Sequence, residues 1–339
     1  MVTVVIPARN EADDIGRALD AVLDQDYPLD RMQVLVVDGR SGDATSDVAS
    51  AALAHRGLLD GRVLHNSNGA TPSNLNLGLT HAKGEYLCRV DARSTIPVEY
   101  VRRCVETLES RPDVAVVGGR QVAKPRDTRA TSVGIARALN NRFLMGLSRY
   151  RRGARSGAVD TVYLGAFRVS QLRAVGGWDE ALPTNQDFDL NRRMSRFGVV
   201  WFDGRLPVDY VPRRSLRALF AQYHRFGRSK VDYWHRTGDR PRPRQIALLT
   251  TPLVAGIVGV QLVADRSFSR RALTASTLLA TAAALELRGS STPPAPLAGH
   301  LISLLASAAV ASGWLTGVGR EQLAALLDPQ RRAIPRTSP

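Results

Sequence analysis

Three strand-like runs, Val2–Pro7, Val34–Val37 and Tyr86–Val90, each lead directly into a polar cluster. The clusters read Pro7-Ala8-Arg9-Asn10-Glu11, Asp38-Gly39-Arg40-Ser41-Gly42-Asp43 and Asp91-Ala92-Arg93. Segments of helical spacing separate the runs. Glu11–Asp24 places Ile15, Ala18, Leu19 and Val22 on one face, and Asp43–His55, Pro72–Ala82 and Pro97–Glu109 are further helices. Pro72 suits a first helical turn, where its missing N–H costs nothing. Val63–His65 and Val114–Val117 complete five strands. Strands alternating with helices imply right-handed crossovers and an α/β fold: a mixed, mostly parallel Rossmann-like sheet with helices on both faces. Ligands of such sheets lie beyond the carboxyl ends of the strands, so the three polar clusters are expected to share one crevice.

Later parts of the chain have a different texture. Residues 121–158 are rich in Arg and small polar residues, with a helix expected around Thr131–Leu147 and a basic loop at Arg149–Arg155. Regular structure is expected again at Val159–Leu164, with a polar helix at Asn185–Arg196 and a longer one, rich in Arg and aromatics, at Ser215–Trp234. Beyond Arg244 come three apolar stretches, Ile246–Ala264, Ala272–Leu287 and Leu297–Val318. A spanning helix needs about 20 mostly apolar residues, which the first and third supply, whereas the second is short and carries Glu286. A soluble helical domain is the alternative, because much of the apolar content is Ala.

Arg266, Arg270 and Arg271 follow the first stretch, and short basic loops stay inside. The first stretch is therefore expected in the interface, and the second and third as a spanning hairpin with its uncharged loop Ser290–Pro296 outside. The tail with Arg320, Arg331, Arg332 and Arg336 would return inside. The expected divisions are 1–214 catalytic, 215–245 a basic amphipathic interface region, 246–319 membrane helices and 320–339 a cytoplasmic tail. The amino terminus opens on a strand without a signal-peptide pattern, so no export is expected.

The apolar share of 44% excludes a disordered chain, and the formal charge of +15 points to anionic partners. These are nucleic acid, an anionic membrane face or phosphorylated substrates. Interleaved aromatic platforms and nucleic-acid motifs are lacking, so no nucleic acid is expected. The basic residues are nearly all Arg, a choice that GC-rich coding explains without explaining the net charge. Cys88 and Cys104 have no metal-ligand spacing and read as buried thiols of a reducing compartment.

Several polar residues have two readings. Arg9 can meet a phosphate and Glu11 a ribose hydroxyl, or the segment is a helix cap. Asp38 ends a buried strand and needs a partner, which a nucleobase N–H or a ribose hydroxyl would supply. Asp43 reads as a helix cap. Asp91 can hold a divalent ion on a diphosphate or pair with Arg89 or Arg93. Asp187 and Asp189 stand two apart at a helix start, so one can face the crevice as a general base while the other caps or pairs with an Arg. Gln222 and Arg225 share a helix face beside Phe226, in a place suited to diphosphate and acceptor or to a membrane surface.

Together these motifs resemble glycosyltransferase family 2, in its succinoglycan or exopolysaccharide-biosynthesis branch. The resemblance covers about residues 1–245. It rests, in order, on PARNE, the Asp38–Asp43 turn, NLNLGLTHAKGEYLCRVDAR, VDTVYLGAF, GGWDE, QDFDLNRR and the Gln222–Phe226 set. It implies a GT-A fold and a nucleotide-sugar donor, a UDP- or GDP-sugar, held by Pro7, Arg9, Glu11, Asp38, Asp91 and Arg93. Asp91 would be the first Asp of the Asp-x-Asp motif and carry Mg²⁺ or Mn²⁺. Asp187 matches the acidic residue of the catalytic motif, with Gln186 in place of Glu. Gln186, Gln222, Arg225 and Phe226 would face diphosphate and acceptor.

Two positions depart from the pattern. Arg93 replaces the second Asp, and a cation cannot ligate a metal. Gly39 stands where many members carry another Asp. The implied reaction inverts the anomeric centre and delivers the sugar to a polyprenyl-linked or saccharide acceptor. Its place is the cytoplasmic face of an anionic inner or plasma membrane. A nucleotide-sugar-binding protein of the same fold without catalysis is the alternative that Arg93 raises.

Overall fold

The computed structural model describes residues 1–54, 58, 60–141, 155–238, 241, 267–289 and 296–327. The chain divides into two compact units, Met1–Val122 with Arg149–Val211, and Ala123–Ser148 with Pro212–Pro339.

The first unit is built on a mixed sheet. Its strands are β1 (Val2–Ala8), β2 (Met32–Asp38), β3 (Asp60–His65), β4 (Tyr86–Arg89), β5 (Ser94–Thr95), β6 (Val114–Ala123), β7 (Gly157–Val159), β8 (Tyr163–Arg168) and β9 (Val199–Tyr210). Among the described residues they run in the order β3-β2-β1-β4-β8-β6-β9-β5, with β7 beside β9. β1 pairs in parallel with β2 and β4, and β2 in parallel with β3. β6 and β9 are neighbours that rise together: the Val199 N–H donates to the Asp113 carbonyl at 2.7 Å, and Gly119 lies against Leu206. β8 runs antiparallel to both β4 and β6, and β9 antiparallel to β5 and β7. The sheet is thus mixed and mostly parallel, as expected: β8 reverses between β4 and β6, which leaves β6 pointing the same way as β1, β2, β3 and β4. β8 and β9 follow no βα alternation, and the expected strand at Val114–Val117 runs on to Ala123.

Helices α1 (Ile15–Leu23), α2 (Thr45–Ala54), α3 (Thr71–His81), α4 (Tyr100–Ser110), α5 (Ala130–Leu139), α6 (Val169–Ala174) and α7 (Gln186–Met194) follow in order; of these, α5 belongs to the second unit. The strand period of two divides β1 between two cores. Val2, Val4 and Ile6 pack with Ile15, Leu19 and Val22 of α1. Val5 belongs to the opposite cluster, with Leu75 of α3, Leu87, Phe167 and Trp178. Burying each such side chain contributes about 1.5–3 kcal/mol, and the double covering explains why β1 and β2 are apolar almost throughout. α1 starts at Ile15 rather than Glu11, because Glu11–Asp14 form turns at its entrance.

The second unit is helical: α5, α8 (Leu216–Thr237), α9 (Phe268–Gly289) and α10 (Leu297–Leu327). α5 ends eight residues before the expected Leu147. Asn140 follows it, and its side-chain amide exchanges two 2.8 Å hydrogen bonds with the backbone of Ala123. Residues 142–147, most of the expected basic loop, Ile246–Ala264 and the tail beyond 327 lie outside the described residues. Among the described residues one helical stretch, Leu297–Gln322, is long and apolar enough to cross a membrane, with mean hydropathy 1.7.

Inside this apolar unit sits a charged group. Arg137 Nε of α5 donates to Glu286 Oε1 at 2.9 Å, and His300 Nδ1 of α10 lies 2.6 Å from Glu286 Oε2. Arg137 and Glu286 are both buried. The Glu286 that shortens the second apolar stretch therefore meets a cation within the helical unit.

Candidate active site

The first unit gathers its polar residues at the carboxyl ends of β1, β2 and β4. Asp38 ends β2 and is buried. Its carboxylate accepts from the Ser41 hydroxyl and backbone N–H, the latter at 3.3 Å, and His65 Nδ1 lies 3.6 Å away. Ser41 also accepts from the Asn10 N–H at 2.9 Å, while Asn10 Oδ1 accepts from the Gly42 N–H at 2.8 Å. The turns after β1 and β2 are thus tied side chain to backbone, which holds Pro7, Arg9 and Asp38 at one end of the sheet.

Asp43 takes the cap role. It accepts from the Thr45 N–H at 3.1 Å and the Ala12 N–H at 3.2 Å. Burial pushes its carboxyl up, but the Thr45 hydroxyl together with the Ala12 and Thr45 N–H groups outweighs that and holds it below the usual value. Gly39 has a steric reason. A Cβ there would come within 2.6 Å of Asn74 Nδ2 and 3.0 Å of the Gly69 backbone, so no side chain fits without movement.

Arg89, the last residue of β4, joins two of the candidate carboxylates. It is buried, and its Nε donates to Asp91 Oδ1 at 2.8 Å while Nη1 donates to Asp187 Oδ1. Burial opposes the Arg89 charge, but Asp187 and then Asp91 outweigh it and hold its pKa above the ordinary arginine value. Asp187 opens α7 behind Asn185, whose φ of 64° is left-handed. Burial pushes the Asp187 carboxyl up, Arg89 pulls it down, and Asp91 pushes it up again, with a net rise. That rise is modest in effect, because 44% of the side chain is open to the crevice and solvent screens it.

Asp189 faces the other way. It pairs with Arg193 at 2.7 Å, and Arg193 in turn donates to the carbonyls of Val175 and Gly177. The two carboxylates at the start of α7 therefore divide, one in the crevice and one in the scaffold. Gln186 is buried beside them. The Gly-Trp-Asp-Glu run is scaffold as well: Asn76 of α3 accepts from the Trp178 N–H and donates to its carbonyl, both at 2.8 Å, and also donates to Glu180 at 2.9 Å.

Arg93 does not reach Asp91. Its guanidinium pairs with Glu11 at 2.9 Å, with both side chains largely covered. The sequence offered Glu11 a ribose hydroxyl or a helix-cap role and placed Arg93 among the donor-holding residues; the structure joins the two side chains to each other. Asp91 keeps Oδ2 without a hydrogen bond or ion pair among the described residues, and 29% of its side chain is exposed. No cluster of three His, Cys, Asp or Glu side chains occurs among the described residues. A divalent ion that takes one carboxylate plus diphosphate oxygens and water needs no such cluster, and the open Asp91 oxygen fits that donor set.

Gln222, Arg225 and Phe226 belong to α8 of the second unit. Arg225 is exposed, Gln222 is half-buried, and Phe226 meets the Tyr223 ring edge-on at 5.4 Å. Sequence reasoning offered Arg89 only as a partner for Asp91 and missed its bond to Asp187. The usable signal was a charged residue in the interior of a buried strand. Tyr163, whose hydroxyl lies 2.7 Å from Ser94 Oγ, is a further neighbour that it missed.

The family model for glycosyl transferase family 2 matches residues 3–173. The chain is 30% identical over 260 residues to the succinoglycan biosynthesis protein ExoA of Rhizobium meliloti (strain 1021), spanning 75% of this chain and 76% of that protein. It is 23% identical over 235 residues to a dolichyl N-acetyl-alpha-D-glucosaminyl phosphate 3-beta-D-2,3-diacetamido-2,3-dideoxy-beta-D-glucuronosyltransferase of Methanococcus voltae, spanning 68% and 72%. Among solved structures, the mannosyltransferase PcManGT of Pyrobaculum calidifontis, in complex with GDP-Man and Mn²⁺, matches with a TM-score of 0.65. That match covers 95% of this chain and 87% of the other at 20% identity, and it is a likeness of fold.

Proposed function

The chain belongs to glycosyl transferase family 2, and on that premise we propose that it moves a sugar from a nucleotide donor to a lipid-linked or saccharide acceptor, with inversion, at the cytoplasmic face of a membrane. The observation that carries this reading is the Asp91–Arg89–Asp187 constellation at the carboxyl end of β4. Asp38 and Arg9 would take the nucleoside end of the donor.

Asp187 accepts the proton of an acceptor hydroxyl through the oxygen that Arg89 leaves free. The acceptor oxygen bonds to the anomeric carbon as the bond from that carbon to the diphosphate oxygen breaks, and the electron pair leaves with the nucleoside diphosphate. A positioned base of this kind is worth about 10²–10⁴-fold. Asp91 would hold Mg²⁺ or Mn²⁺, which when bound supplies positive charge to the leaving diphosphate. Arg89 keeps Asp187 ionised and aimed; Arg93, paired with Glu11, leaves the Asp91 oxygen clear. Gln186, Gln222, Arg225 and Phe226 remain the candidates for acceptor and diphosphate contacts. The ExoA relationship supports an exopolysaccharide setting, and the Methanococcus relative, whose name carries a dolichyl phosphate, supports a lipid-linked acceptor.

A thermal-shift screen of UDP- and GDP-sugars, with Mg²⁺, Mn²⁺ or chelator, tests the donor half. A bound donor raises apparent stability by mass action. One nucleotide class should stabilise the protein, more with metal than with chelator, and Asp91→Ala should abolish the difference. Stabilisation by none of these donors counts against the reading.

A further inference from the structure

α10 is apolar enough to cross a bilayer, yet both of its ends are tied to helices that cannot. Near its start, Gly299 and Ile302 lie against α5, where a Cβ on Gly134 would come within 2.7 Å of Ile302 and 2.8 Å of the Gly299 carbonyl. His300 joins there, through Glu286, to Arg137 of α5. Near its end, Gly313 and Gly317 press on the backbone of α8. A Cβ on Gly317 would come within 2.1 Å of the His224 carbonyl, and one on Gly227 within 2.2 Å of the Trp314 carbonyl. Arg228 pairs with Glu321 at 3.0 Å, and His224 Nδ1 lies 3.1 Å from Thr316 Oγ1. Small residues at such contacts let helices approach backbone to backbone.

α5 and α8 are each tethered to the sheet by short, charged connections. Lys124–Arg129, six residues, joins β6 to α5, and Val211–Ser215, five residues, joins β9 to α8. Six residues reach at most about 22 Å, less than the roughly 30 Å of a hydrocarbon core. Both helices therefore start on the side of the membrane where those strands end. The part of α10 between its two contacts, Ile302 to Gly313, rises about 17 Å at 1.5 Å per residue, which is also too short to span. The carboxyl end of α9 is held at the same level, since Asn141 donates to the Leu285 carbonyl at 3.1 Å.

α10 nevertheless exposes an apolar stripe. Leu297, Leu301 and Leu305 follow four apart and are 76%, 54% and 57% exposed. Leu278 and Leu285 of α9 are exposed as well. Exposed arginines, Arg217, Arg225, Arg288 and Arg320, accompany them in the helical unit of a chain with net charge +15. Apolar stripes beside arginines match an anionic bilayer surface, where the stripe enters the acyl boundary and the cations meet headgroups.

We propose that α10 lies in the plane of one leaflet of an anionic bilayer, leucine stripe inward, and does not cross it. This refines the membrane-face reading above and replaces the spanning hairpin expected from the sequence for this helix.

The test uses the full chain in sealed membrane vesicles with the catalytic unit outward. Pro296→Cys and Arg320→Cys variants, at exposed positions at the start and near the end of α10 and off the leucine stripe, are treated with a membrane-impermeant maleimide. Wild type serves as the blank, because Cys88 and Cys104 are buried. Both sites are expected to label without permeabilisation. Labelling of one site only after permeabilisation means a span and overturns the proposal while leaving membrane association intact. In parallel, Leu301→Glu with Leu305→Glu is expected to weaken binding to phosphatidylcholine–phosphatidylglycerol vesicles about tenfold or more. Unchanged binding of the double variant overturns the proposal. Failure of wild type to bind these vesicles overturns it too, together with the membrane setting, while the donor-binding result of the preceding section would stand.

Discussion

Arg89 and Asp187 are ion-paired across 98 positions of sequence, and the same guanidinium holds Asp91 at 2.8 Å. One buried cation thus fixes the distance and orientation of the two carboxylates to which the chemistry is assigned. Replacing Arg89 by Met should lower turnover by about 10²-fold, because a misplaced base and a misplaced donor-side carboxylate both cost rate. Stability should fall by about 1–3 kcal/mol, less than for a fully buried pair, since both carboxylates face the crevice. Arg89→Lys should recover part of the stability and little of the activity, because an ammonium cannot fork to two carboxylates. Turnover and thermal melting of the two variants check this. Equal turnover of all three proteins would remove Arg89 from the account.

The Arg93–Glu11 pair at 2.9 Å keeps a cation away from Asp91. Glu11→Gln frees that guanidinium. The expected outcome is a higher Mg²⁺ or Mn²⁺ concentration for half-maximal activity, with a lower melting temperature because a largely covered cation loses its partner. A metal titration of the variant against wild type reads it directly, and superimposable curves would show that the pairing does not protect the site.

Much of this was legible in the sequence. The strands β1, β2 and β4 with polar clusters at their carboxyl ends follow from periodicity, and the two-residue spacing of Asp187 and Asp189 says that they face different ways without saying which turns into the scaffold. The strands after β6 were not legible. β9 combines Val199–Phe202 with Asp203, Gly204 and Arg205, a mixture that fits no single period, and its pairing partners lie far away in sequence. The pairing of Arg93 with Glu11 was hidden for the same reason: two charged residues on different turns carry no local sign of each other. Arg89 was visible as an anomaly, a charge in an apolar strand, but its second partner is fixed by tertiary structure alone.

Asn76 clamps Trp178 by its backbone on both sides and holds Glu180. Asn76→Ala should cost about 1–3 kcal/mol, as two buried backbone groups lose their partner. Denaturant unfolding measures it; a change under about 0.5 kcal/mol, within the range of an ordinary surface substitution, would contradict the clamp.

Asp203 of β9 accepts from the Arg205 backbone N–H at 3.0 Å, from the Arg205 side chain at 2.9 and 2.8 Å, and from Ser156 at 3.1 Å. Burial pushes its carboxyl up, and the Arg205 bonds outweigh that and hold it below the ordinary value. Its stabilisation is therefore complete above the unfolded value of about 3.9 and is lost as pH falls through the lower folded value. Asp203→Asn should be less stable than wild type at neutral pH, and the gap should narrow below about pH 4. Melting curves of both proteins across that range test the sign; a gap that widens with acid would contradict it.

Asp187 as the base of a glycosyl transfer is tested most directly by setting donor binding beside transfer for wild type and Asp187→Asn under the same conditions. Donor affinity should stay within a few-fold of wild type while transfer falls by about 10²-fold or more. A variant that binds donor normally and keeps more than about a tenth of the transfer rate contradicts it, since a lost general base costs more than that.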